Sequence, residues 1–177
     1  MGTKCVGVIM ESELTINIGG FPPFSARGCE QELTPIEHGD FHRNVNGDLV
    51  YLGSDAHAKY KSTIKCNDKA AIATDGLYRG REIELGCIQR LWQKFEANQP
   101  ELELDKLPVE GSLYAYSNDQ VEIKILKIDG KKITLATPNP GGYICYRPLL
   151  SMRIVQYTLK TNEWGIKVGW QMECEEI

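Results

Sequence analysis

Three kinds of side chain in this sequence could do chemistry: a spaced histidine pair, two pairs of acids, and six thiols. His38 and His42 stand four apart, the spacing that puts two imidazoles on one helical face, where a metal could bridge them. Their surroundings, EHGDFHRNVNG, hold glycines and asparagines that oppose a helix, so a loop or surface role is expected, as for His57. Glu82 with Glu84, and Glu101 with Glu103, each put two carboxylates on one side of a strand-like run, an arrangement that could flank a glycosidic bond. Solvated charge that discourages edge-to-edge aggregation is the commoner use of such pairs. Cys5, Cys29, Cys66, Cys87, Cys145 and Cys174 are widely spaced with no CxxC, which excludes a zinc ribbon. Reduced and mostly buried thiols are the expectation, with disulfide formation outside the cell as the other reading. No G-x-S-x-G occurs, and no cysteine sits in a recognisable nucleophile context. The glycine-rich stretches, GG at 19–20 and NPGGY at 139–143, read as turns and not as phosphate cradles. No catalytic residue, metal site or cofactor is assigned, and the chain is expected not to be an enzyme.

The elements that must carry these residues are strands, because the dominant hydrophobic period is two. Leu14, Ile16 and Ile18 alternate with polar neighbours, as do Ile83, Leu85 and Cys87, and Val121, Ile123 and Ile125. Each run has one wet and one dry face. In VEIKILKIDGKKITLATP, Asp129-Gly130 supplies both positive-φ positions of a type I′ hairpin turn between β-branched arms. Helix is scarce: SDAHAKY at 54–60 could form one or two turns capped by Ser54, and LWQKFEANQ at 91–99 is ambiguous between strand and helix. Residues 97–142 look like an inserted β-hairpin subregion within a single β domain spanning 1–177.

A second hairpin closes the chain, turning at Lys160-Thr161-Asn162-Glu163. In its returning arm, Trp164, Ile166, Val168, Trp170, Met172 and Cys174 alternate with small or polar residues. In its outgoing arm, Met152 and Ile154 share one parity while Val155, Tyr157 and Leu159 share the other, which predicts a β-bulge or a strand passing between two sheets. Pro148 cannot donate to a ladder and marks an edge or a break. The arm is also too long for one ordinary strand, so it is expected to serve two sheets or to project beyond the body. Tyr143, Tyr146, Tyr157, Trp164 and Trp170 could stack sugars or bases, but their register assigns them to a core or an intersubunit seam. The expected fold is an all-β antiparallel barrel or sandwich with a long C-terminal β-hairpin and very little helix. The hairpin residues Tyr143, Tyr146, Met152, Ile154, Tyr157, Trp164, Ile166, Val168, Trp170 and Met172 are its expected core and assembly element.

Composition narrows the partners. The chain of 177 residues carries a net charge of −4, with scattered Lys and Arg and no basic face, so sequence-specific nucleic acid is not expected as a direct partner. No apolar run approaches the roughly 20 residues of a membrane helix. MGTKCVGVIMESEL turns acidic too soon for a signal peptide, and Val6 stands where myristoylation needs a small hydroxyl residue. Synthesis in the cytoplasm, without a membrane partner, is the expectation.

Several stretches together resemble a family of small proteins encoded among the virion genes of tailed bacteriophages: SARGCEQELTPIE, RNVNGDLV, KYKSTIKCND, DGLYRG with EIELGC, and YRPLLSMRIV with EWGIKVGWQMECEE. The resemblance covers residues 21–90 and 143–177. It departs from the family's pattern at Arg43-Asn44-Val45-Asn46-Gly47, where the family run reads Arg-Thr-Val-Asn-Gly, and in the length of 97–142. It implies a structural part of the virion tail (tube, hub or distal region) that assembles as a ring or stacked tube with copies of itself and neighbouring tail proteins. Host cytoplasm would be its place of synthesis and the virion its destination. The alternatives are a carbohydrate-binding host-attachment module, whose aromatics would be exposed, and a cell-wall hydrolase using the paired glutamates.

Overall fold

A computed structural model of the chain describes residues 12–37, 39–53, 58–165 and 167–177. These residues contain no helix and fifteen strands. In chain order the strands are β1 (Thr15–Ile16), β2 (Glu30–Pro35), β3 (Asp40–Arg43), β4 (Leu49–Leu52), β5 (Tyr60–Asp68), β6 (Glu82–Gly86), β7 (Leu91–Phe95) and β8 (Glu101–Glu103). They continue as β9 (Leu107–Pro108), β10 (Tyr114–Ser117), β11 (Ile125–Asp129), β12 (Lys132–Leu135), β13 (Gly142–Tyr146), β14 (Pro148–Thr161) and β15 (Val168–Glu176). The protein is thus all-β and antiparallel, a curled half-barrel sheet accompanied by smaller sheets.

The large sheet has the order β1-β6-β14-β15-β5-β2, with β9 pairing β14 beyond the end of β15. Alternation in the sequence produces it directly. Ile83 and Leu85 of β6, Ile64 and Cys66 of β5, Met152 and Ile154 of β14, and Trp170, Met172 and Cys174 of β15 point into one core and are almost fully buried. Burying each such side chain contributes about 1.5–3 kcal/mol. Gln31 of β2 reaches across the curl, accepting from the Ile88 and Gln89 N–H groups at 2.6 and 3.0 Å.

The face switch in the outgoing arm is a β-bulge. Ile154 pairs with Cys174 and Gln156 with Glu173, so Val155 is the extra residue, and inward positions change from even to odd beyond it. The run 143–161 also serves two sheets, breaking at Arg147: β13 belongs to a three-stranded sheet β10-β13-β7, and β14 to the large one. A second three-stranded sheet, β11-β12-β8, packs with it around Phe95, Leu104, Ile133, Leu135, Ile144 and Tyr146. This second core draws on β7 through β13, from Leu91 to Tyr146, and so extends beyond both ends of 97–142.

Other expectations shift by a few residues. Leu91–Phe95 is strand because it pairs with β13 along its whole length. Only Thr15–Ile16 of the first alternating run pairs, and the run at 121–125 becomes strand only at Ile125. Its earlier part crosses between the two small sheets, with the Ile123 N–H donating to the Ala115 carbonyl. The Asp-Gly hairpin forms, but Asp129 pairs with Lys132, leaving Gly130-Lys131 as the loop. Of these only Gly130 has positive φ, at 60°, which is the requirement of a type II′ turn instead of I′. Ser54 and the start of the expected helical turn lie outside the described residues, and Tyr60 already begins β5.

Candidate assembly surface

The predicted hairpin residues divide between interior and surface. Met152, Ile154, Trp170 and Met172 lie in the large core, and Tyr146 lies in the second one, its hydroxyl accepting from the Lys106 N–H at 3.1 Å. Trp170 is 2 % exposed, stacks on Phe21 and donates its Nε1–H to the Ser25 carbonyl at 2.7 Å. Tyr157 and Val168 are half-buried and Tyr143 is exposed. Ile166 lies outside the described residues. The expected turn at 160–163 shifts: the last pair is Thr161 with Val168, so Trp164 is not in the returning strand and is 81 % exposed. Met152, Ile154, Trp170 and Met172 are thus covered by their own chain, while Leu159 and Trp164 stay exposed.

What the sheet leaves open is its edges. β6 pairs β14 only from Leu149 to Arg153, and the Gly80 and Ile154 N–H groups close that side at the Ile154 and Arg81 carbonyls. Beyond it, no described strand flanks 156–161 opposite β15. The outer edge of β2 is likewise unflanked among the described residues, since β2 pairs only β5.

Charge on the solvent face of this sheet alternates by strand. β6 presents Glu82 and Glu84, β14 Arg153 and Lys160, β15 Glu173 and Glu175, β5 Lys61 and Lys65, and β2 Glu30 and Glu32. One row runs across four strands as Glu82, Arg153, Glu175, Lys61, each directly opposite the next. Arg153 pairs with Glu82, and Lys61 reaches Glu173 at 3.8 Å. Oppositely charged cross-strand neighbours of this kind contribute roughly 0.2–1 kcal/mol each. At the free edges Lys160, Glu30 and Glu32 have no ion-pair partner among the described residues.

Two further surfaces are exposed. β3 and β4 form a separate hairpin whose eight strand residues are all exposed, with Phe41 against Tyr51 at 5.1 Å. Its turn is the RNVNG run: the Asn44 carboxamide oxygen accepts from the Asn46 and Asp48 N–H groups at 3.0 and 2.9 Å. On the outer face of β10-β13-β7, Trp92, Tyr114, Tyr116 and Tyr143 share one side, with Trp92 61 % exposed. Tyr116 lies 6.5 Å from Trp92 and 6.4 Å from Tyr114, and Arg90 sits over Tyr114. Only Tyr143 of this group is among the residues predicted from the sequence. The alternation of Tyr114 and Tyr116 around Ala115 was the signal available in the sequence for the rest.

The chemistry-bearing residues do not converge. Glu82 and Glu84 lie on β6, and Glu101 and Glu103 on β8 of a different sheet. Glu84 shares a groove of about 320 Å³ with Glu176, but Glu176 already accepts from Lys106 Nζ at 2.5 Å and the Tyr60 N–H at 3.0 Å. His42 is exposed on β3, while His38 and His57 lie outside the described residues. Among the described residues, no group of His, Cys, Asp and Glu could hold a metal. Burial pushes the thiols of Cys66 and Cys174 up to about 12 and that of Cys87 up to about 11, so they stay protonated and unreactive near neutrality. Compared with known protein families, curated proteins and solved structures, the chain matches none.

Proposed function

We propose that the protein is a structural subunit that assembles with copies of itself, and that its setting is the tail of a bacteriophage virion, beside other tail proteins. The observation that carries this reading is the pair of unflanked ladder edges on one sheet, at 156–161 and at β2. An open strand edge is a template for another strand, and a ring of subunits is one way to remove it. The phage setting rests on the sequence motifs named above, which fall on β2, the β3–β4 turn, β5, β6, β14 and β15. In this reading the protein catalyses no reaction and holds no cofactor. It is made in the host cytoplasm, and it carries no membrane or sequence-specific nucleic-acid contact. Native mass measurement across a concentration series, with electron microscopy of the same samples, tests it. Rings or stacked tubes of defined subunit number are expected; a monomer at every concentration would overturn the reading.

The aromatic face of β10-β13-β7 favours a second reading, a glycan-binding host-attachment surface. Flat rings exposed side by side can stack on the apolar face of a sugar. Glycan-dependent quenching of Trp92 emission, lost in Trp92→Phe, is its expected signature; emission unmoved by bacterial surface glycans removes it.

A further inference from the structure

We infer that the two free edges of the large sheet are partners for each other, so that 156–161 of one copy pairs antiparallel with β2 of the next. The inference rests on the assembly reading and names its contact. Length is the first match: β2 has six residues, as does the unflanked stretch of β14.

Charge is the second. On the solvent face β6, β14, β15, β5 and β2 each meet a neighbour of opposite sign, and β14 keeps this rule through Glu82 of β6 only as far as Arg153. Beyond that point Lys160 pairs with Gly169 of β15 and has no described strand on its other side, where a strand that continues the alternation must be acidic. The other unflanked edge carries Glu30 and Glu32 on the same solvent face.

Register is the third. Setting Lys160 opposite Glu30 of a second copy, antiparallel, brings Thr158 opposite Glu32 and Gln156 opposite Thr34. The same register puts Tyr157 beside Leu33 on the inner face. Both are half-buried residues already packed against the large core of their own copies. Exposed Leu159 then falls beside Gln31 and loses solvent. A slip by one residue would turn Glu30 and Glu32 toward the core side, so the pairing has one favourable parity. The contact is head-to-tail, with different patches on the two copies, and it closes into a ring or runs on as a filament according to the rotation between subunits.

The test is a charge exchange between copies, read by native mass. Lys160→Glu alone sets two carboxylates against each other across the contact, and Glu30→Lys alone sets two ammonium groups together. Each variant should associate roughly five- to tenfold more weakly than the parent, since like charges directly opposite destabilise a ladder. Mixing the two variants supplies a complementary contact again, the acid now on β14 of one copy and the lysine on β2 of the other, and should restore association between unlike copies. Both positions are exposed; Lys160→Glu should unfold at the parent's denaturant midpoint, and Glu30→Lys, which also faces Lys65 of its own copy, at a slightly lower one that mixing does not restore. A parent that assembles while the variants and their mixture behave like it would overturn this contact and leave the assembly reading standing. Variants that weaken but are not rescued by mixing would overturn it too. A parent that stays monomeric would overturn both.

Discussion

Asp68 accepts from the Arg27 backbone N–H at 3.0 Å, from its Nε at 3.1 Å and its Nη2 at 2.7 Å, and from the Lys69 N–H at 2.8 Å. Hydrogen bonds from the guanidinium lead the causes that hold its carboxyl down at about 2, against an ordinary 3.8. A depressed carboxylate adds stability that is present above its unfolded value and lost as pH falls through its folded one. The difference in stability between the parent and Asp68→Asn should therefore be constant above 3.8 and shrink toward zero as pH falls to about 2. Urea unfolding at a series of acidic pH values checks this; a gap that persists at the acid end would mean that the charge is not what the contact depends on. At this scale the sequence was readable wherever a side chain's burial follows from strand parity, as with Trp170, Met172 and Cys174. It misled at Trp164, because the ladder runs on to Thr161 and the returning strand starts only at Val168, beyond the turn expected at 160–163.

Among the elements, β13 depends on a residue with no side chain. Gly142 pairs with Ser117, and a Cβ placed on it would lie 2.0 Å from the Tyr116 carbonyl oxygen. That atom is backbone in a paired strand and cannot move aside without breaking the ladder. Gly142→Ala should cost about 1–3 kcal/mol, the usual range for forced overpacking, measured as a lowered denaturant midpoint. An unchanged midpoint would mean that β10 and β13 yield easily. The strands themselves were legible, because alternation reports a half-buried face whatever it packs on. The bulge at Val155 was legible for the same reason, since a change of parity in one continuous apolar run has few other causes. Turn registers were not. Asp129-Gly130 suits a I′ turn by residue type, yet pairing of Asp129 with Lys132 moved the loop by one, and that pairing is fixed by the contacts of β12 with β8.

The whole molecule is two cores held together where β9, β14 and β15 meet. Lys106 precedes β9 and reaches Glu176 at 2.5 Å and the Ala58 carbonyl at 2.9 Å, with both charged groups mostly buried. Removing one charge of such a pair leaves the other in a poor environment, whereas removing both does less harm. Glu176→Gln should therefore lower stability by about 1–3 kcal/mol, and Lys106→Met with Glu176→Leu should recover most of it. Equal losses in the single and double variants, measured by urea unfolding, would show that packing and not charge makes the joint. That a group of strands lies within 97–142 was readable from the Asp-Gly hairpin. Its limits were not, because Leu91 and Tyr146 belong to it through pairing between strands far apart in the chain, which no local pattern records. The joint has a mechanical consequence. β14 runs unbroken from Pro148, paired to Pro108 beside the second core, to Thr161 at the tip. A strand is already near its full extension and has almost no slack to give. A pull applied at the tip would reach the seam between the cores undamped, so under tension this protein should yield there before the long hairpin unzips.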